Sequence, residues 1–371
     1  MYYYKLIDII NIISCFQLAI FSFFLIQKGK KKISNIILAS FFLVQFVVIF
    51  SNLLTSFFQN NANFNIQITN VYHPLEFLWG PLMYFYIKSQ VKQDFKFKLS
   101  DTAHLIPFTL AALLILADNY VSRNVTSLPF VSSQLIYNGF VYYRFLYFLL
   151  LFTYNFYAFV LLYKYQQGLK DRFSFEIKQD LVWLKFVLYG YIIACTVSLI
   201  TNSARTFTSL SGEYIIDILY ATFLVFFNIL FYRAMIQPQV LIQLDEKPKY
   251  SGTGLSDSDI GRYSQGITKA LITHKCYLNP SLTLLELSEV TGISERNISQ
   301  IINQHWKQNF FSFINTFRVE EAKILLNSFD QNKTTMIGIA FDSGFNSKSA
   351  FYDAFKKQTG ITPTEYRKSN A

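Results

Sequence analysis

The chain of 371 residues is 52% apolar, 18% aromatic and only 15% charged, with a formal net charge of +10. A soluble domain carries about 25% charged residues, so solubility along the whole length is excluded, and the apolar content excludes disorder of the bulk. At roughly 150 residues per domain the length has room for two or three domains.

The charge is unevenly placed. Residues 1–237 hold 18 basic and 10 acidic residues, whereas 238–371 hold 15 and 13. The greasier half is the more basic half, as in a membrane protein with cationic loops. Cys15, Cys195 and Cys276 are isolated, with no CxxC pair and no histidine at metal-ligand spacing. Neither a disulfide framework nor a zinc site is expected.

Seven apolar runs lie near 6–26, 34–57, 73–89, 103–118, 138–163, 183–203 and 214–235. Most reach the ~20 residues that a helix needs to cross a bilayer core. The fourth is short and must extend or sit in a thinned region. Helix is the expected form, because lipid offers no partner to unpaired backbone groups. The turns between the runs alternate in charge: the first, third and fifth carry thirteen basic residues, and the second, fourth and sixth carry two, Arg123 and Arg205. The positive-inside rule puts the odd turns in the cytoplasm, the N-terminus outside and the C-terminal region inside. In 1–26 the basic cluster follows the apolar run, which reads as a reverse signal-anchor helix rather than a cleaved signal peptide.

Composition shifts at Pro238, and residues 238–258 read as a polar tether with prolines and glycines. From Asp259 the period becomes helical, with Ile260, Tyr263, Ile267 and Leu271 forming one stripe. Residues 259–371 are enough for one all-helical domain.

Within it, Thr283 and Glu286 form a capping-box pattern ahead of a short helix with Leu284 and Leu287 inward. Gly292 supplies the turn of a helix-turn-helix, and Ser294 caps a second helix. Ile298, Ile301 and Ile302 form its apolar face; Arg296, Asn297, Ser299, Gln300 and Asn303 form the other. Such side chains hydrogen-bond base edges and phosphates. A long helix over Phe310–Leu326 follows, and then the arrangement repeats. Thr335–Asp342 reads as a short helix with Ile337 and Ala340 inward, Ser343-Gly344-Phe345 as the turn, and Asn346 or Ser347 as the cap of a helix with Phe351 and Phe355 in its core. Lys348, Ser349, Tyr352 and Lys356 lie elsewhere on that helix. A connector of 17 residues is ~25 Å long, enough to present two recognition helices to successive major grooves, which lie about 34 Å apart. Lys348, Lys356, Lys357, Arg367 and Lys368 supply local positive charge.

The segment IGIAFDSGFNSKSAFYDAFKKQTGITPTEYR, with Phe317-Arg318 through Ala322, Leu325-Leu326, Leu287-Ser288 and Thr291-Gly292-Ile293-Ser294, closely resembles AraC/XylS-type transcription regulators. The resemblance covers about 260–369. It implies a seven-helix DNA-binding domain in which Arg296, Ser299 and Gln300 from one helix, and Asn346, Ser347, Lys348, Ser349 and Tyr352 from the other, face DNA. Asp353 stands where some members carry a basic residue. The N-terminal half does not resemble the cupin-like sugar-sensing domain of that family. With Gly80-Pro81, Tyr84, Tyr86 and His104 to Pro107, it is similar to a group in which a multi-span membrane region precedes the AraC-type domain.

Ionisable residues inside apolar runs are candidate functional groups. Asp8, Glu76, Arg144 and Asp217, with His73 nearby, fall in the outer thirds of their spans. They would line a pocket for a zwitterionic or cationic small molecule or a peptide; the competing reading is that each sits at the interface and snorkels. No Walker motif, GxSxG or HExxH is present, so no enzyme and no cofactor is expected.

The fold expected is therefore all-α: a seven-helix transmembrane domain over 1–237, a linker over 238–258 and a double helix-turn-helix domain over 259–371. The function expected is a membrane-embedded one-component transcription regulator in a bacterial inner membrane. Its expected partners are double-stranded DNA, the lipid bilayer, a second copy in a homodimer, a small-molecule or peptide signal, and RNA polymerase if it activates. The alternatives are spans acting as a passive anchor or oligomerisation scaffold, and a transporter with an attached regulatory domain.

Overall fold

The computed structural model describes residues 6–29, 32–58, 72–92, 95–124, 133–175, 178–207, 213–236, 255–327 and 335–369. Among these residues all regular structure is helical, apart from one isolated antiparallel bridge between Phe173 and Thr283. The chain forms two compact units, Met1–Tyr163 with Asp180–Gln243, and Lys164–Gln179 with Leu244–Ala371. The second unit thus takes in a segment from between two apolar runs, which a contiguous division at 237 does not contain. Residues 237–254, most of the expected tether, lie outside the described residues.

The first unit contains α1 (Leu6–Gly29), α2 (Ile33–Phe57), α3 (Trp79–Val91), a 3₁₀ turn (Leu99–Leu105), α4 (Ile106–Asn124), most of α5 (Ser133–Lys170), most of α6 (Lys178–Phe207) and α7 (Glu213–Ile236). Four helical segments, Asp8–Lys28, Ile33–Phe57, Tyr143–Lys170 and Val182–Thr201, are long and apolar enough to cross a membrane, and Leu99–Ile115 and Tyr220–Ile236 are shorter apolar stretches.

These helices bury an apolar core that includes Leu18, Leu38, Phe42, Leu188 and Leu230, and with it several polar side chains. Asn11, Ser14, Ser22, Asn35, Gln45 and Ser51 are buried, whereas Phe16, Phe23, Leu113, Phe145 and Ile193 are exposed. Ser22 Oγ donates to the Ala39 carbonyl across the α1–α2 seam at 3.3 Å. Asn228 Nδ2 donates to Gln17 Oε1 at 2.8 Å, and Lys28 Nζ caps the end of α7 through the Met235 carbonyl at 2.7 Å. Two glycines permit close approach: a Cβ at Gly80 would stand 2.7 Å from the Tyr154 ring, and one at Gly190 2.7 Å from the Phe226 ring.

The second unit is built on α8 (Asp257–His274), a 3₁₀ turn (Cys276–Leu278), α9 (Leu284–Thr291), α10 (Glu295–Gln304), α11 (Phe310–Leu326), α12 (Met336–Asp342), α13 (Lys348–Thr359) and α14 (Pro363–Ser369). It has two hydrophobic cores. Ile267, Leu271, Leu287, Ile298, Ile301 and Ile302 pack with Phe310, Phe313 and Ile314 of α11. Val319, Ala322 and Leu326, further along α11, pack with Ile339, Ala340, Phe345, Phe351 and Phe355. One helix therefore serves both cores, its first half in one and its second half in the other.

Candidate nucleic-acid interface

The two helix pairs of the second unit are shaped by local sequence. Thr283 Oγ1 accepts from the Glu286 N–H at 3.2 Å and Glu286 Oε2 accepts from the Thr283 N–H at 2.8 Å, so the capping box closes and starts α9. Gly292 ends α9 in the left-handed region at φ 66°. Ser288 Oγ then donates across the turn to the Ile293 carbonyl at 2.7 Å. Ser294 Oγ caps α10 through the Asn297 N–H at 3.3 Å. In the second pair Thr335 caps α12, Gly344 makes the turn at φ 85°, and Ser347 Oγ accepts from the Ala350 N–H at 3.2 Å to start α13. Of the two cap residues left open by the sequence, Ser347 takes the role. Ile337, expected inward, is 49% exposed, and Ile339 occupies the core in its place.

On α10, Arg296 is exposed and Asn297 and Ser299 are half-buried. Asn303 Nδ2 donates to the Ser299 carbonyl at 2.9 Å. Gln300 lies opposite the apolar stripe by helical period, yet it is only 6% exposed and its amide donates to Gln304 Oε1 at 3.2 Å. The exposed position expected for it is not found. On α13 and just before it, Asn346, Lys348, Ser349 and Lys356 are exposed and Ser347 is half-buried. The Lys348 ammonium sits 5.3 Å from the Tyr352 ring centroid, and the Tyr352 hydroxyl shares a 2.8 Å hydrogen bond with Thr364 Oγ1. Tyr352 is thus tied to α14 and holds a cation over its ring face.

A further cluster had no signal in the residue pattern. Glu321 on α11 accepts from Lys275 Nζ at 3.0 and 3.1 Å and from the Tyr277 hydroxyl at 2.9 Å. Burial raises the Glu321 carboxyl, but the bonds from Lys275 and Tyr277 outweigh it and hold the group below its usual value. These residues are 44 and 46 apart in sequence, so only the fold brings them together.

The groups expected to sense a signal belong to the first unit. Asp8 is buried and accepts from Ser56 Oγ at 2.9 Å. His73 and Glu76 approach to 3.8 Å on a helical turn at 72–76, and the Tyr143 hydroxyl donates to the His73 carbonyl at 2.6 Å. Arg144 is exposed, and the Asp217 side chain lies outside the described residues.

The family match falls within the second unit. The family described as helix-turn-helix domain matches residues 287–369. The C-terminal segment is an AraC-type helix-turn-helix domain. An uncharacterized HTH-type transcriptional regulator of Staphylococcus aureus strain COL is 37% identical over 91 residues, 24% of this chain and 12% of the relative. A regulator of the same description from Haemophilus influenzae is 30% identical over 84 residues, 23% of this chain and 27% of the relative. The chain thus spans about an eighth and about a quarter of these relatives' lengths. No solved structure matches significantly.

Proposed function

We propose that the chain is a membrane-embedded, one-component transcription regulator. The observation that carries this reading is the pair of capped helix-turn-helix arrangements joined by α11, in a segment matched by the helix-turn-helix family. In this reading α10 and α13 enter successive major grooves of double-stranded DNA. Arg296, Asn297 and Ser299 act from the first, and Asn346, Ser347, Lys348 and Ser349 from the second. Lys356 adds a phosphate contact, and Tyr352 positions Lys348. Seven spans hold the first unit in the inner membrane, with the second unit in the cytoplasm; the four long apolar segments and the alternating charge of the turns support this. A signal acting on the membrane half, a homodimer partner and RNA polymerase complete the scheme. The His73–Glu76 pair is the polar feature that supports a sensing role.

The test is genome-wide DNA occupancy of the full chain in its own membrane. Arg296→Ala and Lys348→Ala are each expected to lower specific occupancy about 5- to 150-fold, the equivalent of 1–3 kcal/mol of base discrimination. Lys356→Ala is expected to weaken binding to all sequences alike and to lower the salt dependence by about one phosphate contact. Occupancy unaltered in the Arg296 and Lys348 variants would sink the assignment of α10 and α13 as readers.

A further inference from the structure

Arg318 on α11 is 1% exposed. A guanidinium has five N–H groups, and five hydrogen bonds account for them. Nε donates to the Tyr277 carbonyl at 2.8 Å, Nη1 to the Ser174 carbonyl at 2.7 Å and Asn315 Oδ1 at 3.3 Å, and Nη2 to Ser174 Oγ at 2.9 Å and the Asn279 carbonyl at 2.8 Å. None of these acceptors is a carboxylate, so the buried charge depends on the full set of oxygen dipoles.

Two of the five bonds end on Ser174, 144 residues earlier in the chain. Ser174 is wholly buried within the second unit, although it lies in the turn between α5 and α6. Its hydroxyl donates to the Leu282 carbonyl at 2.7 Å and its N–H to the same carbonyl at 3.1 Å. The Leu284 N–H donates to the Arg172 carbonyl at 2.9 Å. Leu284 opens α9, where an N–H has no partner within the helix. The turn therefore completes the solvation of Arg318 and satisfies the start of the first helix-turn-helix.

This turn is continuous with Tyr143–Lys170 on one side and reaches Val182–Thr201 on the other, two of the segments long and apolar enough to cross a membrane. We propose that residues 171–175 are a strap docked on the helix-turn-helix domain, with Arg318 as the latch, through which displacement of α5 or α6 reaches α9. The docking stands on these contacts; its effect on transcription rests on the DNA-binding reading above.

The experiment uses the full chain in native membranes, with Cys276→Ser as background. The bonds flanking Phe173 and Thr283 make them a non-hydrogen-bonded pair, for which Cα atoms stand about 4.5 Å apart, within reach of a disulfide. Phe173→Cys with Thr283→Cys is expected to lose both maleimide-reactive thiols under mild oxidation, while each single variant keeps its own. Adding Ser174→Leu, which cannot fit the buried site, is expected to lower this cross-linking about tenfold, the factor that 1.4 kcal/mol represents. No cross-linking above the single variants overturns the docking.

For output, Ser174→Leu is compared with a six-residue Gly-Ser insertion after Lys170, which keeps the strap's bonds to Arg318, Leu282 and Leu284 and breaks its backbone bonds to Gln167 and Leu169, so that its tie to α5 slackens. Both are expected to change transcript levels of occupied genes severalfold at unchanged membrane abundance. Transcript levels unaltered by the insertion overturn the transmission. A wild-type chain that occupies no DNA overturns the DNA-binding reading and the transmission together, and the cross-link still decides the docking.

Discussion

Gly292 and Gly344 occupy equivalent turns under different constraints. Both lie in the left-handed region, at φ 66° and 85°. A Cβ at Gly292 would meet nothing within 4 Å, whereas one at Gly344 would collide with the Tyr277 carbonyl and with the Leu278 backbone. Gly292→Ala is expected to cost only the left-handed penalty, about 1–2 kcal/mol, and Gly344→Ala more than that, because backbone must shift. Chemical denaturation of the two variants compares them, and equal losses would contradict the contact at Gly344. The Glu321 cluster gives a second expectation at this scale. A carboxyl held below its unfolded value of about 4.3 contributes stability that is full above that pH and lost as pH falls through the folded value. Tyr277 runs the other way. Burial, and then its bond to Glu321, push its hydroxyl up to about 12, so its contribution is full below about pH 10 and is lost as pH rises through the folded value. Glu321→Gln should flatten the acid limb of stability and Tyr277→Phe the alkaline limb, each by about 1 kcal/mol because Lys275 is half-exposed. Unfolding midpoints measured across pH check both signs.

At the scale of elements, much was legible because the rules involved are local. The Thr283–Glu286 box, the Ser294 cap and the turn glycines act within three or four residues, and the structure closes them as their spacing requires. Ile337 was misplaced because α12 has only seven residues, too few for a helical period to separate Ile337 from Ile339. Gln300 was misplaced for another reason: period gives the direction of a side chain but not what covers it. Among the apolar runs, that at 73–89 divides into a helical turn at 72–76 and the 13-residue α3, while α5 runs 38 residues and ends in the second unit, because an apolar run marks where apolar surroundings are tolerated and not where a helix stops. Caps also give this scale its prediction. Thr283→Ala removes the side-chain arm of the box ahead of an eight-residue helix and leaves the Thr283 N–H on Glu286, and about 1 kcal/mol of stability should go with it. Ser347→Ala removes one accepting oxygen at α13 and should cost no more. A larger loss at Ser347, read by thermal unfolding, would mean that its contacts extend beyond the cap.

At the scale of the whole molecule, the division of the chain into units could not be read from composition. Composition changes at 237, but Lys164–Gln179 folds with Leu244–Ala371, held by Ser174 on Arg318, 144 residues away, and by the bonds of Ser174 and Arg172 to Leu282 and Leu284. Arg318 was visible as part of a family pattern; Ser174 had no signal at all. The consequence is that residues 244–371 taken alone lack two of the acceptors that Arg318 uses, and unmade hydrogen bonds to a buried group cost about 1–3 kcal/mol. A synthetic peptide of residues 168–178 should restore them, and its binding should stabilise the fragment by about 2.7 kcal/mol at a hundredfold excess over Kd. For a fragment of this size, between small and mid-sized domains, each kcal/mol moves the thermal midpoint by roughly 4 °C, so the midpoint should climb visibly with peptide concentration. A peptide carrying Ser174→Leu should have no such effect. The fragment with Arg318→Met needs no acceptors for a charge, so its midpoint should respond to the native peptide far less. A midpoint that ignores the native peptide would mean that the domain solvates Arg318 without the strap, and that its contacts with the α5–α6 turn are incidental to its stability.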